Sequence, residues 1–149
     1  MNPILRRRIA ATLLVVGAIV AALAIADVGP FEDPVTEEER AQEAVETFFT
    51  AAADGDARRF CALLTEQARQ TLEVNAAQSL QTDKAPKCAQ VLELLKAAFA
   101  DTEIDVRYVN VSGNRARVEA RYKLAGAGAQ PRTVLLLEEN GEWHISDPG

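Results

Sequence analysis

Two cysteines, one histidine and a row of basic residues are the side chains of this 149-residue chain with chemistry beyond packing. Cys61 and Cys88 stand 27 positions apart, and the chain has no other cysteine. Such a pair can oxidise to a disulfide or stay as two small buried thiols, and the compartment decides between them. A metal site would need two further ligands in a tetrahedral shell, and no histidine lies near enough in sequence to help fill it. His144, the sole histidine, lies between Trp143 and Ile145. If those two apolar side chains share one face of a strand, the imidazole points to the opposite, polar face. It reads as a surface histidine, and with only one in the chain a Ser-His-Asp or Cys-His constellation has little to stand on. Arg115, Arg117, Arg121 and Lys123 fall on one parity of a single stretch, which makes them one face of a strand. Their expected partners are Glu119, Glu138 and Glu139, or else an acidic protein or cell-wall polymer docking on that face. No phosphate-cradling glycine loop, metal-ligand cluster or aromatic-basic interleaving accompanies them, so neither a metal, a cofactor nor a catalytic residue is expected.

Charge placement bears on the partners and the compartment. The net charge is −6, yet Arg6, Arg7 and Arg8 precede every acid, and all 22 Asp and Glu lie from position 27 onward. Thirteen basic residues then face 22 acids, so the body carries −9. A body of that sign repels phosphate backbones, and nucleic acid is not an expected partner. Between the arginines and the first acid lies Ile9 to Ala26, eighteen residues without a charge. As a helix they span roughly 27 Å, close to the ~30 Å of a bilayer core. Residues 1–8 are then expected to stay in the cytoplasm, with 9–26 a transmembrane anchor and the rest of the chain outside. The alternative is a signal peptide cleaved after Ala26, where Ala24-Ile25-Ala26 has the small-x-small form. Residues 27–35 carry two prolines and a glycine and read as an extended linker. An exported chain with an even pair of cysteines favours the Cys61–Cys88 disulfide.

These groups must be positioned by the elements of residues 36–147. Thr36 and Glu39 have capping-box spacing, and Ala41, Ala44, Val45, Phe48, Phe49 and Ala52 recur at helical spacing behind them. Asp54-Gly55-Asp56 ends this first helix. A second helix is expected from about Ala57 into the seventies, burying Phe60, Leu63, Leu64, Ala68 and Leu72. Asn75 to Lys84 reads as fraying helix or loop. Pro86 suits the first turn of a third helix, whose apolar side is Cys88, Val91, Leu92, Leu95 and Phe99. After Asp101 the period changes to two. Strands are expected at Ile104–Val111, Arg115–Leu124, Thr133–Glu138 and Trp143–Ser146, with turns at Ser112-Gly113-Asn114 and Asn140-Gly141. The fold class is α+β, with three N-terminal helices packed in the concave face of a curved four-stranded antiparallel sheet, preceded by one transmembrane helix.

This pattern resembles the nuclear transport factor 2-like superfamily, with its ketosteroid isomerase-like and polyketide cyclase-like members. It is most similar to small exported or membrane-anchored actinobacterial types. The residues that carry the resemblance begin with Ala44-Val45-Glu46-Thr47-Phe48-Phe49, Asp54-Gly55-Asp56 and Cys61-Ala62-Leu63-Leu64-Thr65. Val109 to Val118 and Gly141-Glu142-Trp143-His144-Ile145 complete it. The resemblance implies a cone-shaped domain over 36–147 and brings Tyr108, Tyr122 and Asp105 into view, because related isomerase sites pair an acidic base with a tyrosine donor. Tyr122 falls on the inward parity of its strand, whereas Asp105 alternates with Ile104 and Val106 and is expected to face solvent. No acid falls clearly inward, so no active-site role is carried over. The leading expectation is a membrane-anchored, extracytoplasmic, non-catalytic domain that binds an unknown protein or cell-envelope component. The alternative is small-molecule binding in the cone, as a carrier or degenerate cyclase or isomerase, in a pocket bordered by Phe48, Tyr122 and Trp143. A homodimer through the open sheet face is a third expectation.

Overall fold

The computed structural model describes residues 34–149. The apolar stretch 9–26, with the anchor or signal peptide expected there, lies outside the described residues. Among the described residues no helix is long and apolar enough to cross a membrane. Val35–Gly149 forms one compact unit.

Helix α1 spans Glu37–Asp54. Its start is fixed by a reciprocal cap in which the Thr36 hydroxyl accepts from the Glu39 N–H and the Glu39 carboxylate accepts from the Thr36 N–H. Glu37, Glu38 and Glu39 add negative charge where the helix dipole favours it. The helix ends on Gly55, in the left-handed region at φ 72°. A side chain there would also press on the Lys96 methylenes, 3.1 Å from an added Cβ.

The second expected helix is two helices, α2 (Ala57–Ala62) and α3 (Glu66–Leu80). Leu63 and Leu64 keep the apolar period going, but their backbone leaves the helix to pair with the sheet. The Ile145 N–H donates to the Leu63 carbonyl at 2.7 Å, and the Thr65 N–H donates to the Ile145 carbonyl at 2.9 Å. Two bonds to a strand edge thus replace two helical ones, and the edge is covered in the process. Thr65 restarts the helix, its hydroxyl accepting from the Ala68 N–H at 3.1 Å. Helix α3 continues to Leu80, so much of Asn75–Lys84 is regular helix.

Helix α4 spans Cys88–Phe99. Pro86 lies ahead of it rather than in its first turn. Its free N-terminal N–H groups are met from outside, because the Glu73 carboxylate on α3 accepts from the Cys88 N–H at 2.8 Å. The Cys61–Cys88 disulfide is formed, joining α2 to the start of α4.

The strands are β1 (Glu103–Ser112), β2 (Arg115–Lys123), β3 (Gln130–Glu139) and β4 (Glu142–Asp147), in the order β1-β2-β3-β4 and antiparallel throughout. Asn140 and Gly141 both take positive φ, 55° and 83°, as a tight hairpin between twisted strands requires. On β2, Ala116, Val118, Ala120 and Tyr122 are buried while Arg115, Arg117, Arg121 and Lys123 are exposed. The register of β1 on β2 shifts between Val106 and Tyr108, a bulge. The shift changes parity, so Ile104 and Val106 before it and Val109 and Val111 after it all pack on the core. The helices close over this curved sheet, and Phe48, Phe60, Leu92, Val118, Leu136 and Ile145 meet in the core between them.

Candidate functional site

The packing between helices and sheet leaves a cavity of about 270 Å³ at the end of the sheet where β2 closes and β3 begins. Its walls follow from the periodicities above. Phe48 and Phe49 come from α1, Phe60 from α2, and Tyr122 from the inward parity of β2. Their rings form a chain of contacts: Phe48 stacks on Phe60 at 4.6 Å between centroids, meets Phe49 edge-on at 5.3 Å, and Phe49 leans on Tyr122 at 4.7 Å. Ala68 and Leu72 from α3, with Leu95 and Phe99 from α4, close the helical side.

Only two polar side chains line this space. The Tyr122 hydroxyl donates a long hydrogen bond to the Gly149 carbonyl at 3.5 Å. Burial pushes the phenol above its ordinary 10.0, the nearby Arg132 guanidinium opposes that shift, and Asp147 adds to it. At neutral pH it is a proton-bearing donor. The second is Arg132, at the rim on the inward parity of β3 two residues before Val134 and four before Leu136. No carboxylate lies within ion-pair distance of Arg132 among the described residues. The lining contains no carboxylate, imidazole or thiol side chain, so it offers shape, an apolar surface, one phenol and one fixed positive charge. Such a set can hold and orient a ligand; a side-chain base for proton abstraction is not in it.

Of the residues singled out from the sequence, Phe48 and Tyr122 are in the cavity wall. Trp143 is not. It is buried on β4, its indole N–H donating to the Glu37 carboxylate at 3.0 Å, and so pins the first turn of α1 to the sheet. Asp105 and Tyr108 lie exposed on the outer face, away from the cavity. His144 is half-buried, its Nδ1 3.1 Å from the Ala62 carbonyl. A carbonyl can only accept, so Nδ1 carries the proton, and the imidazole ties β4 to the end of α2.

Arg115, Arg117, Arg121 and Lys123 form a row on the outer face, and of the expected partners Glu119 is paired with it while Glu138 and Glu139 are not. Arg117 pairs with Glu119 at 3.2 Å, while Asp105, opposite Arg121, is held by Arg107. Glu138 and Glu139 face Trp143 and Glu142 on β4, and the β3 residues opposite Arg115 and Arg117 are Leu137 and Leu135. No metal-holding cluster of His, Cys, Asp or Glu occurs among the described residues.

The sequence marks Leu72 and Leu95 only as apolar positions of their helices, and it does not mark Arg132 as a site residue. Arg132 had a signal, its period-two phase with Val134 and Leu136, masked by the loop-like Gly126, Gly128 and Pro131 before it. Leu72 and Leu95 had no signal of their own, since each reads as an ordinary apolar position of its helix.

Residues 35–146 match a family model described as "Domain of unknown function (DUF4878)". The chain belongs to this family. No curated protein matches it. Among solved structures, the DUF4878 chain is similar to a variant of a protein named Rd1NTF2_05, with a TM-score of 0.53 at 14% identity, covering 74% of this chain and 96% of that one. It is also similar to an NTF2-like protein of unknown function from Shewanella baltica OS155, with a TM-score of 0.50 at 11% identity, covering 76% of this chain and 90% of that one. At such identities the likeness concerns the fold alone, and the fold of this DUF4878 domain is nuclear transport factor 2-like.

Proposed function

We propose that the DUF4878 domain is a binding module whose cone cavity takes a small, largely apolar ligand without transforming it, and that residues 9–26 anchor it to a membrane with the domain outside. The observation that carries the ligand reading is the lining itself: an unbroken aromatic and aliphatic wall with one neutral phenol and one rim arginine. Few convergent polar groups in an apolar concavity is the general form of a small-molecule site. The anchor rests on the eighteen uncharged residues behind three arginines.

The outer sheet face supports a second reading, a docking surface for an acidic protein or envelope polymer. There Arg115, Arg121 and Lys123 have no carboxylate within ion-pair distance among the described residues. The cavity is the stronger candidate because a phenol and a guanidinium converge there on an apolar concavity, whereas solvated basic rows are common on sheet faces.

Photolabelling the full chain in membrane vesicles with a compact photoreactive benzoate tests the cavity. Modification is expected within 48–68 and 120–132, and Ala68→Leu, which adds volume to the lining, is expected to remove it. Labelling confined to the outer strand faces, or none in the domain, would overturn the ligand reading.

A further inference from the structure

A second apolar space of about 270 Å³ lies between α3 and α4, lined by Ala76, Leu80, Val91 and Leu94 together with Leu72 and Leu95. Leu72 and Leu95 also line the cone cavity. The two spaces are therefore back to back, with a wall of two leucine side chains between them. Both leucines are only half-buried, and the helix that carries Leu72 is loosely held. Of the fifteen residues of α3 only Ala68 is buried, so little packing opposes a rotamer change or small shift of its later turns. Outside, Leu80 and Leu94 are 51% and 57% exposed. Apolar side chains left open along a groove point to a missing apolar occupant.

We propose that the cone and the α3–α4 groove form one elongated site for a single-chain amphiphile with an anionic head. The head sits at Arg132 and Tyr122, and the acyl chain passes Leu72 and Leu95 into the groove. This rests on the cone being a ligand site and adds the class of ligand. Size supports it: each space alone falls below the roughly 300–1,000 Å³ of ordinary ligand sites, and joined they fall inside that range. The charge is placed to match, because Arg132 is the one cationic side chain in the cone lining and no cationic side chain lines the groove. The polar side chains of the groove, Asn75 and Ser79, are uncharged.

Saturated fatty acids of 8 and 16 carbons, each with a photoreactive diazirine at the methyl end, test this on the full chain in vesicles. The short acid is expected to label cone residues near Phe60 and Leu64, and the long acid to label α3 and α4 around Ala76, Leu80 and Leu94. Leu94→Asp, at an exposed position, is expected to reduce the long-chain label on α3 and α4 at least tenfold. If both acids label the cone alone, or if Leu94→Asp leaves the long-chain label in place, the elongated site is wrong while the cone remains a ligand site. If neither acid nor the compact benzoate labels the domain, the cone reading fails as well. A long acid with an uncharged alcohol in place of its carboxylate is expected to label several-fold less, and equal labelling would overturn the role given to Arg132.

Discussion

Replacing both Cys61 and Cys88 by alanine is expected to remove a large part of the domain's stability. The bridge closes a loop of 27 residues, from α2 across all of α3 to the start of α4. For a loop of that length the chain-entropy relation gives about 12 cal/mol/K, or about 3.5 kcal/mol at 25 °C. Cys88 is 4% exposed, so the lost sulfur contacts add to this rather than offset it. In the unit Val35–Gly149 a loss of that size corresponds to a fall in Tm of about 15 °C. The sole tryptophan provides the assay, since Trp143 is buried and bonded to Glu37, and its fluorescence reports when β4 parts from α1. Urea unfolding of the oxidised protein, the same protein under reductant and the double alanine variant should give a high midpoint followed by two low ones. The slope should rise without the bridge, because the unfolded chain is then free to expand. Equal midpoints for oxidised and double-alanine protein would refute the reasoning. So would an effect of reductant on the double variant, which has no bridge to lose.

Leu92→Ala, at a fully buried position on α4, is expected to destabilise by about 2–5 kcal/mol in the same unfolding assay. Thr65→Ala removes the hydroxyl that caps α3 and should cost about 1 kcal/mol, with Thr65→Ser restoring most of it. Tyr122 holds its proton more tightly folded than unfolded because it is buried. Its contribution is therefore fully present below the ordinary phenol pKa of 10.0 and lost as pH climbs above that value towards the folded pKa. Unfolding followed from pH 9 to 11 should show a steeper alkaline loss for the native chain than for Tyr122→Phe, and parallel curves would contradict it.

What could be read in the sequence is what local chemistry decides. Thr36 with Glu39, the alternation from Ala116 to Tyr122, and Asn140-Gly141 each specify their structure through neighbours a few residues away, and each does so in the folded domain. The break at Leu63–Thr65 is different. Those leucines continue the helical apolar period, and what pulls their backbone out is the free edge at Ile145, some eighty positions later. The α3–α4 groove escapes for a related reason. Leu72, Leu80 and Leu94 are unremarkable within their own helices, and only the placement of α3 against α4 turns them into walls of one space. Arg132 lies one residue outside the strand that the alternation marks, because β3 begins at Gln130 and not at Thr133.

The apolar packing of β1 on the core also depends on a single extra residue. In an unbroken strand, side chains at 104, 106 and 108 share a face, and Tyr108 would stand beside Ile104 and Val106, which pack on the core. The bulge after Val106 shifts the register so that Tyr108 pairs with Glu119 on the outer face and Val109 takes the inward place opposite Val118. Asp105, outward on the near side of the bulge, lies opposite Arg121. A one-residue change of register moves a whole set of side chains to the other face, and here it turns Tyr108 out to the face that Glu103 and Asp105 already occupy before the bulge. Tyr122 is thus the one phenol in the cavity wall, and no acidic side chain lines the cavity with it, although Asp147 lies close enough to raise its pKa. Protonated at neutral pH, the phenol can donate a hydrogen bond to the head group of the proposed ligand while Arg132 supplies the charge. In the proposed site, selectivity would then come from the length and girth of the apolar space, which the two leucines shared by the cone and the groove would set.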